Sequence, residues 1–345
     1  MNLLFQNAIQ KIPQAVPPIW FMRQAGRYHN HYQKLRAKHN FMELCKIPEL
    51  AAEVALGPIE DFDFDVSILF SDLLFPLEAL GLGLEYTDHG PRLGQALTDQ
   101  NIATLNSTDE CAEFMQFQKQ AMILTRQRLP KNKSLIGFVG GLWTLFVYAV
   151  EGGHAGSLVH SKNKIHLYEK FKDILLPLLK KNIQLQLDGG AEVVMIFDTA
   201  AGEVSSEFFK THLQKDLLAL RDTFAGKLGY YSKGTQSCFF DDHFTKGTAQ
   251  SHWAGLGIDH RWNMLDYLKN QTSPGFSQGN FDQALLHQEP EDFKKSLNLY
   301  LQKFVDTPVD IRRGWVCGLG HGVLPKTPEK NVRFFVDHVR KVFST

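Results

Sequence analysis

Three arginines lie close together near the start of the chain, within the segment WFMRQAGRYHNHYQKLR (residues 20–36). Arg23 and Arg27 flank a glycine-containing turn, and Arg36 follows in the same segment. A guanidinium group stays charged and binds a carboxylate through two hydrogen bonds, so clustered arginines favour a ligand with several acidic groups. Salt bridges within the chain, or a solvated surface, would explain the same spacing, and both interpretations stay open here.

An aspartate follows a short apolar run in the segment DFDFDVSILFSDLLFP (residues 61–76). Asp72 comes directly after SILFS, where we expect a buried strand to end. A carboxylate in such a place needs a cation, backbone amides or the N–H groups of a ligand as partners. Alternatively, Asp72 caps a helix that begins in LLFPLEAL.

The aspartates upstream of this run are similar in spacing to the start of a calcium-binding loop. Asp61, Asp63 and Asp65 occupy the first ligand positions, but Val66 stands where such a loop needs glycine, and Asp72 where it needs glutamate. We therefore reject calcium binding and expect these aspartates to be solvated at the entrance to the strand.

Three further polar residues lie in segments that are otherwise apolar or rich in glycine. Tyr148, in GLWTLFVYAVEGG (141–153), either directs its hydroxyl into a pocket or belongs to the core. Thr199 follows Asp198 at the end of an apolar run, where both residues line a site or only form a turn. His321 lies among glycines that permit close approach to a ligand, and histidine commonly transfers protons near neutral pH.

The elements that must position these residues are short apolar runs, which alternate with helical patterns. Such runs suit parallel strands buried on both faces. They are IWFM (19–22), SILF (67–70), LIGFV (135–139), VVMIF (193–197), KLGYY (227–231), GLGI (255–258), PGFSQ (274–278) and WVCGL (315–319). The pattern predicts a single α/β domain over residues 1–345, a (β/α)8 TIM-type barrel in regular or distorted form. Polar residues after several runs would then share one rim.

Helices are predicted between these strands. Residues 48–62 and 290–305 each begin with proline and place apolar side chains at helical spacing. Thr327 is predicted to cap a last helix, with Pro328 at its first position and its end near Phe343.

Composition excludes several classes of protein. Lys+Arg and Asp+Glu both total 37, a balance that argues against nucleic-acid binding, although a local arginine cluster suffices for an anionic ligand. No apolar run approaches the ~18 residues of a membrane span, and the N-terminus does not have the pattern of a signal peptide. The four cysteines are widely spaced, as expected for free thiols in the cytoplasm. GLGHG lacks the spacing of a dinucleotide fingerprint.

Together these segments closely resemble the uroporphyrinogen decarboxylase family. The resemblance covers almost the whole chain in the same order. It runs through PPIWFMRQAGRY (17–28), FSDLLFPLEALG (70–81), GLWTLFVYAVEGG (141–153), FDTAAG (197–202), GLGID (255–259), QGNFD (278–282) and GLGHGVLPKTP (318–328). It implies a homodimeric barrel without cofactor or metal. Its reaction would remove CO2 from the four acetate side chains of uroporphyrinogen III, giving coproporphyrinogen III in haem biosynthesis.

The resemblance also implies roles for individual residues. Asp72 would accept hydrogen bonds from the pyrrole N–H groups, and Arg23, together with Tyr148, would lie nearest the leaving carboxylate. These three are the expected catalytic residues, with His321 as an alternative proton donor or a ligand for a propionate. The implied substrate-binding residues are Arg23, Gln24, Ala25, Arg27, Arg36, Asp72, Tyr148, Thr199 and His321.

Several positions beside the expected pocket depart from the family pattern. Thr199 replaces the usual serine, and other departures are at His29 to His31, Leu142, Ala200, His260 and Gly318. They keep open a non-catalytic paralogue that binds tetrapyrroles. A second alternative is a zinc methyltransferase of the same superfamily, which needs a His-x-Cys pair and a distant cysteine. Cys238 and Cys317 are available for that site, but Gln236 stands where the histidine is needed.

Overall fold

A seven-stranded parallel sheet lies at the centre of the computed structural model, which describes residues 1–87, 90–154, 156–248, 250–271 and 274–344. The order of its strands is β1-β4-β5-β6-β7-β8-β9, and β2 and β3 form a separate antiparallel pair. The strands are β1 (Val66–Ile68), β2 (Glu85–Thr87), β3 (Gly90–Arg92), β4 (Ser134–Gly140), β5 (Val193–Asp198), β6 (Leu228–Ser232), β7 (Gly255–Gly257), β8 (Phe276–Phe281) and β9 (Trp315–Leu319).

Helices connect successive strands of the sheet. In chain order they are α1 (Leu3–Ile9), α2 (Asn30–Arg36), α3 (Phe41–Lys46), α4 (Pro48–Phe62), α5 (Phe75–Leu77), α6 (Thr108–Phe114), α7 (Gln116–Arg128), α8 (Leu142–Glu151), α9 (Val159–Asn163), α10 (Ile165–Asp188), α11 (Ser206–Phe208), α12 (Gln214–Thr223), α13 (Asp242–Lys246), α14 (Met264–Asn270), α15 (Pro290–Val305) and α16 (Glu329–Phe343). The predicted helices over 48–62 and 290–305 are confirmed as α4 and α15. Along the described ranges, none of these helices is long and apolar enough to cross a membrane.

Both faces of the sheet are buried, as the apolar runs predicted. In β5, Val193 and Met195 belong to one hydrophobic cluster, whereas Val194 and Ile196 belong to another. Side chains alternate between the two faces of a strand, so one cluster covers one face of the sheet and the other covers the face on which the helices pack. Because each strand pairs in parallel with its neighbours, the carboxyl ends of all seven meet at one edge.

Seven of the eight predicted strands overlap strands of the sheet, but the first run, residues 19–22, forms only a single parallel bridge. Ile19 bridges to Cys317, and its carbonyl accepts a hydrogen bond from the Asp65 amide (3.0 Å). Beyond it, the side chain of Gln24 replaces the strand ladder. Its oxygen accepts from the Phe21 amide (3.3 Å), and its amide nitrogen donates to the Val66 carbonyl (2.9 Å).

The start of the last helix also differs from the prediction. Pro328 is the N-cap of α16, with φ −64° and ψ 121°, and Glu329 is its first residue. The Thr327 hydroxyl does not cap the helix, because it donates to the Leu324 carbonyl (2.8 Å) and lies 3.0 Å from His287 Nε2. Thr327 therefore fixes the preceding loop.

The expectation that Asp65 is solvated is wrong. Its carboxylate is 3% exposed, accepts a hydrogen bond from the Ile19 amide (2.7 Å) and pairs with Arg340 (2.8 Å). Asp61 and Asp63 have side chains that are 45% and 73% exposed, as predicted. Asp65 instead joins the first segment of the chain to β1 and to α16.

Candidate active site

Arg23 lies in the loop after Ile19, at the edge where the strands end. Its φ of +57° is in the left-handed region, which few residues other than glycine adopt. The neighbouring loop is tied to it, because the Val323 amide donates to the Met22 carbonyl (2.9 Å). A Cβ on Gly322 would lie 2.6 Å from Arg23 Cδ, so only glycine at that position leaves room for the arginine stem.

Asp72 faces several groups across this edge. One carboxylate oxygen accepts the Leu74 amide (2.8 Å), and the Tyr86 hydroxyl is a second hydrogen-bond partner. Burial raises the pKa of the Asp72 carboxyl, and the hydrogen bonds from Tyr86 and Leu74 and the charge of Arg23 oppose that shift. The helix-cap alternative is not confirmed in its simple form, because the N-cap of α5 is Leu74. Asp72 forms a turn and also lies in the field of Arg23.

Tyr148 is half-buried on α8 and interacts with the same two residues. Burial raises the pKa of its hydroxyl, the charge of Asp72 raises it further, and Arg23 opposes the shift. The phenol therefore keeps its proton at neutral pH. The structure brings Arg23, Asp72 and Tyr148, which lie far apart in sequence, within electrostatic reach of one another.

Asp198 has a structural role beside this group. Its buried carboxylate accepts hydrogen bonds from the Thr144 amide (3.0 Å) and hydroxyl (2.6 Å), which secures the start of α8. Burial raises the pKa of Asp198, and the Thr144 bonds oppose that rise. Thr199 follows it, half-buried, at the carboxyl end of β5. These bonds tie the end of β5 to α8, so the Asp198 carboxylate is engaged in a long-range contact, and Thr199 stays a candidate for the pocket.

Arg27 and Arg36 are exposed and lie near Tyr32. Burial raises the pKa of Tyr32, and the charges of the two arginines oppose that rise. Arg36 also donates to the His39 carbonyl (2.7 Å). Over the described ranges, neither these two residues nor Arg23 forms an ion pair within 4 Å of a carboxylate. The alternative of intrachain salt bridges is therefore not supported for the arginine cluster.

Gln24 and Ala25 contribute differently to the loop that carries the arginines. Gln24 is fully buried and directs its side chain to the backbone of Phe21 and Val66. Ala25 is half-buried and packs against a small hydrophobic cluster that includes Tyr32. Gln24 thus holds the loop in place through its side chain, while its backbone remains part of the loop.

His321 is held by Tyr231 in the loop that follows β9. Its Nδ1 lies 2.9 Å from the Tyr231 hydroxyl, which also lies 2.9 Å from the Gly320 carbonyl, and the two rings stack at 5.9 Å. Burial, followed by the positive charges of Arg23 and Lys233, lowers the pKa of His321 to about 3. The imidazole is therefore neutral near pH 7, a state that suits hydrogen bonding better than acid catalysis.

The depressed pKa of His321 predicts a dependence of stability on pH. Between the unfolded pKa of about 6.5 and the folded value, the unfolded chain binds the additional proton, so stability falls as pH falls. His321→Gln should lose less unfolding free energy than the wild type, by about 1–2 kcal/mol, when pH drops from about 7 to about 4.5. Urea denaturation at both values measures this difference.

The control for this measurement is His166→Gln, which removes an exposed histidine paired with Asp99 (3.0 Å). His166→Gln should lose as much unfolding free energy as the wild type between the two pH values. An unchanged pH dependence in His321→Gln would show that His321 is not a buried neutral imidazole.

Three residues beside the candidate site were not predicted from the sequence: Tyr86, Tyr231 and Lys233. Lys233 directly follows the last residue of β6, and its charge lowers the pKa of both His321 and His154. It lies half-buried at the edge that carries the other site residues. The observation that polar residues follow the ends of strands could have found it, since Lys233 follows the run KLGYY and one serine.

One of two small residues that depart from the family pattern has a physical explanation. A Cβ at Gly318 would lie 2.4 Å from both Gln278 Nε2 and the Trp20 carbonyl, so no larger side chain fits without movement. Ala200 is fully buried, and its amide donates to the Thr144 hydroxyl (3.0 Å). Local packing therefore accounts for glycine at position 318, whereas nothing in these contacts explains alanine at position 200.

Comparison with known proteins identifies the class of this chain. The family model described as Uroporphyrinogen decarboxylase (URO-D) matches residues 2–342. A curated uroporphyrinogen decarboxylase from Chlorobium phaeovibrioides is 33% identical, with 99% of this chain and 97% of the relative covered. One from Solibacter usitatus is 30% identical, with 99% and 98% covered.

A solved structure, a methyltransferase from Methanosarcina mazei, has a TM-score of 0.77 with 17% identity and covers 100% of both chains. At that identity the likeness supports the α/β fold alone. The fold and the family match together define a carboxy-lyase. The chain belongs to the uroporphyrinogen decarboxylase family.

Proposed function

We propose that this protein removes CO2 from the four acetate side chains of uroporphyrinogen III, giving coproporphyrinogen III in haem biosynthesis, without a cofactor or metal. Family membership supports the reaction. The observation that carries the proposed site is the placement of Asp72, a carboxylate beside Arg23 and Tyr148 at the edge where the strands end. A carboxylate in the field of a guanidinium suits a substrate with inward N–H groups and acidic arms.

The reaction needs an electron sink for the C–C bond that breaks. Protonation of the adjacent ring carbon makes the pyrrole cationic, the bonding electrons flow into the ring, and CO2 leaves. The remaining exocyclic methylene then takes a proton to become a methyl group, and the ring carbon releases the first proton. One proton is consumed for each acetate. Asp72 would accept hydrogen bonds from the pyrrole nitrogens and stabilise the cation through preorganised electrostatics.

The proton donor is proposed to be Arg23 held jointly with Tyr148, directly or through a bound water. Arginine is a weak acid, with a pKa above ~12, so the guanidinium must regain a proton from solvent as it gives one to the ring carbon. His321 is a poorer donor, because its pKa is lowered to about 3 and the ring is neutral at pH 7. We therefore assign His321 to a hydrogen bond with a propionate or with the pocket wall.

The other residues would bind the acidic arms. Arg27 and Arg36 have no carboxylate within 4 Å in the described part of the chain, so their charges are available to substrate carboxylates. Thr199 would add a hydroxyl to the pocket wall. Gln24 and Ala25 would supply the loop that carries Arg23 and Arg27.

We further propose that the sheet closes into an eight-stranded barrel and that the protein works as a cytoplasmic homodimer. The bridge from Ile19 to Cys317, together with the hydrogen bond from Asp65 to Ile19, supports closure between β9 and β1. The dimer and the compartment rest on family likeness and on the widely spaced cysteines. Light scattering on the purified protein tests the dimer.

Anaerobic incubation with uroporphyrinogen III tests the function. Products with seven, six, five and four carboxylates should appear in succession, with release of CO2. Binding of uroporphyrinogen without any loss of carboxylates would contradict the proposal and favour a non-catalytic paralogue that binds tetrapyrroles.

Chelation separates this function from that of a zinc methyltransferase. Cys317 is fully buried in β9 and its pKa is raised by burial, which disfavours the thiolate that zinc requires, whereas Cys238 is exposed. No group of three His, Cys, Asp or Glu is placed to hold a metal among the residues that the structure describes. Dialysis against EDTA should leave the decarboxylation rate unchanged, within about twofold. Loss of activity that returns with zinc would contradict a metal-free reaction.

A further inference from the structure

We propose that Tyr86 is a positioning residue for Asp72, whose hydroxyl donates a hydrogen bond to the carboxylate and holds it ready for the substrate nitrogens. The inference deepens the proposed function and rests on it. Tyr86 lies in β2, outside the seven-stranded sheet. It is therefore separate from the site residues that follow the ends of the sheet's strands.

Packing places the Tyr86 ring beside Asp72. The ring contacts Phe41 of α3, with centroids 4.3 Å apart, and Phe41 contacts Phe70 at 6.0 Å. Phe70 lies just before Asp72 in the chain, so one aromatic row connects β2 to the segment that carries the carboxylate. Tyr86 is half-buried, and its hydroxyl is a hydrogen-bond partner of Asp72.

Charged and titratable groups from four other segments face Asp72. Arg23 attracts its negative charge, and Glu78 repels it, although Glu78 is paired with Lys46 at 2.6 Å. Cys45 and Tyr148 both interact with the Asp72 charge. Against the cost of burial, Tyr86 contributes the largest effect that favours the ionised carboxylate, ahead of the Leu74 amide and Arg23.

Tyr86 can only act as a donor in this contact. Burial and the nearby Asp72 charge raise its pKa far above the usual value, so the phenol keeps its proton. A hydrogen bond to the charged form of a carboxylate favours that form. The hydroxyl therefore opposes the rise in the Asp72 pKa that burial causes, and it favours the ionised form that can stabilise a pyrrole cation.

Tyr86→Phe tests the inference, because phenylalanine keeps the ring against Phe41 and removes only the hydroxyl. The acid limb of the pH profile of kcat/KM should move upward by about one pH unit, the shift expected from losing one hydrogen bond to a charged group. Above that limb, kcat should fall by only about threefold. Tyr267→Phe, which removes a hydroxyl bonded to Gln271 (2.7 Å), is the matched control and should leave the limb unchanged.

A loss of rate that is equal at every pH, with the limb unmoved, would overturn the proposal and leave Tyr86 a packing residue. In that case an inactive Asp72→Asn variant would still support the proposed function, whereas an active one would contradict it. A 13C titration of labelled aspartate carboxyls, with the Asp72 signal identified by its loss in Asp72→Asn, measures the same shift without turnover. An identical Asp72 titration in the wild type and Tyr86→Phe would likewise overturn the proposal.

Discussion

Asp72→Asn should lower kcat/KM by about a thousandfold, because the variant removes the anion that we propose stabilises a pyrrole cation. The amide has the same shape and still accepts the hydrogen bond from Leu74, so local structure should persist. Burial disfavours the charged carboxylate, and the free energy of unfolding should therefore stay equal or rise. Anaerobic kinetics and urea denaturation of the same preparation separate the two effects.

Asp282→Asn is the matched control for that variant. The Asp282 carboxylate accepts the amide two residues ahead, from Ala284 (2.9 Å), in the same kind of turn as Asp72 with Leu74. It should keep a rate near that of the wild type. Near-wild-type turnover in Asp72→Asn would remove the anion from the mechanism.

Arg23→Gln should lower kcat/KM by about a hundredfold, as expected for losing charge-assisted hydrogen bonds to a substrate carboxylate. Part of the loss should be in kcat, because the charge of Arg23 opposes the rise in the Asp72 pKa that burial causes and favours the ionised carboxylate. Arg23→Lys should recover only part of the rate, since an ammonium cannot reproduce the two parallel hydrogen bonds. Steady-state kinetics at several pH values measure both parameters.

Arg313→Gln is the control for the arginine variant, because Arg313 is exposed and precedes β9 at the opposite edge of the sheet. It should leave kcat and KM unchanged. If Arg23→Gln behaved like this control, Arg23 would have no part in binding or in the protonation step.

The sequence predicted most of the sheet, because strands buried on both faces require continuous apolar runs such as VVMIF. It could not show that the run at residues 19–22 stops after one bridge. That outcome depends on Gln24, whose side chain takes the backbone partners of a strand only when the loop has folded. Thr327 likewise matched a helix cap locally, but the fold supplied His287 and the Leu324 carbonyl as partners.

The candidate site was predictable where residues follow the ends of strands, as Asp72 and His321 do. Asp65 was misjudged, because its partner Arg340 comes from the far end of the chain. No sequence pattern pointed to Tyr86, because β2 pairs outside the main sheet. The contact of Tyr86 with Asp72 depends on packing of its ring against Phe41. Local sequence patterns therefore could not predict the partners of single polar residues when those partners lie far away in the chain.

A crystal structure with coproporphyrinogen bound would test the central claim most directly, by measuring the distances from the Asp72 carboxylate to the pyrrole nitrogens. We expect the nitrogens at about 2.7–3.2 Å from the Asp72 oxygens, with propionates on the arginines of residues 23–36. A tetrapyrrole bound with its nitrogens turned away from Asp72, or at another edge of the sheet, would contradict the account.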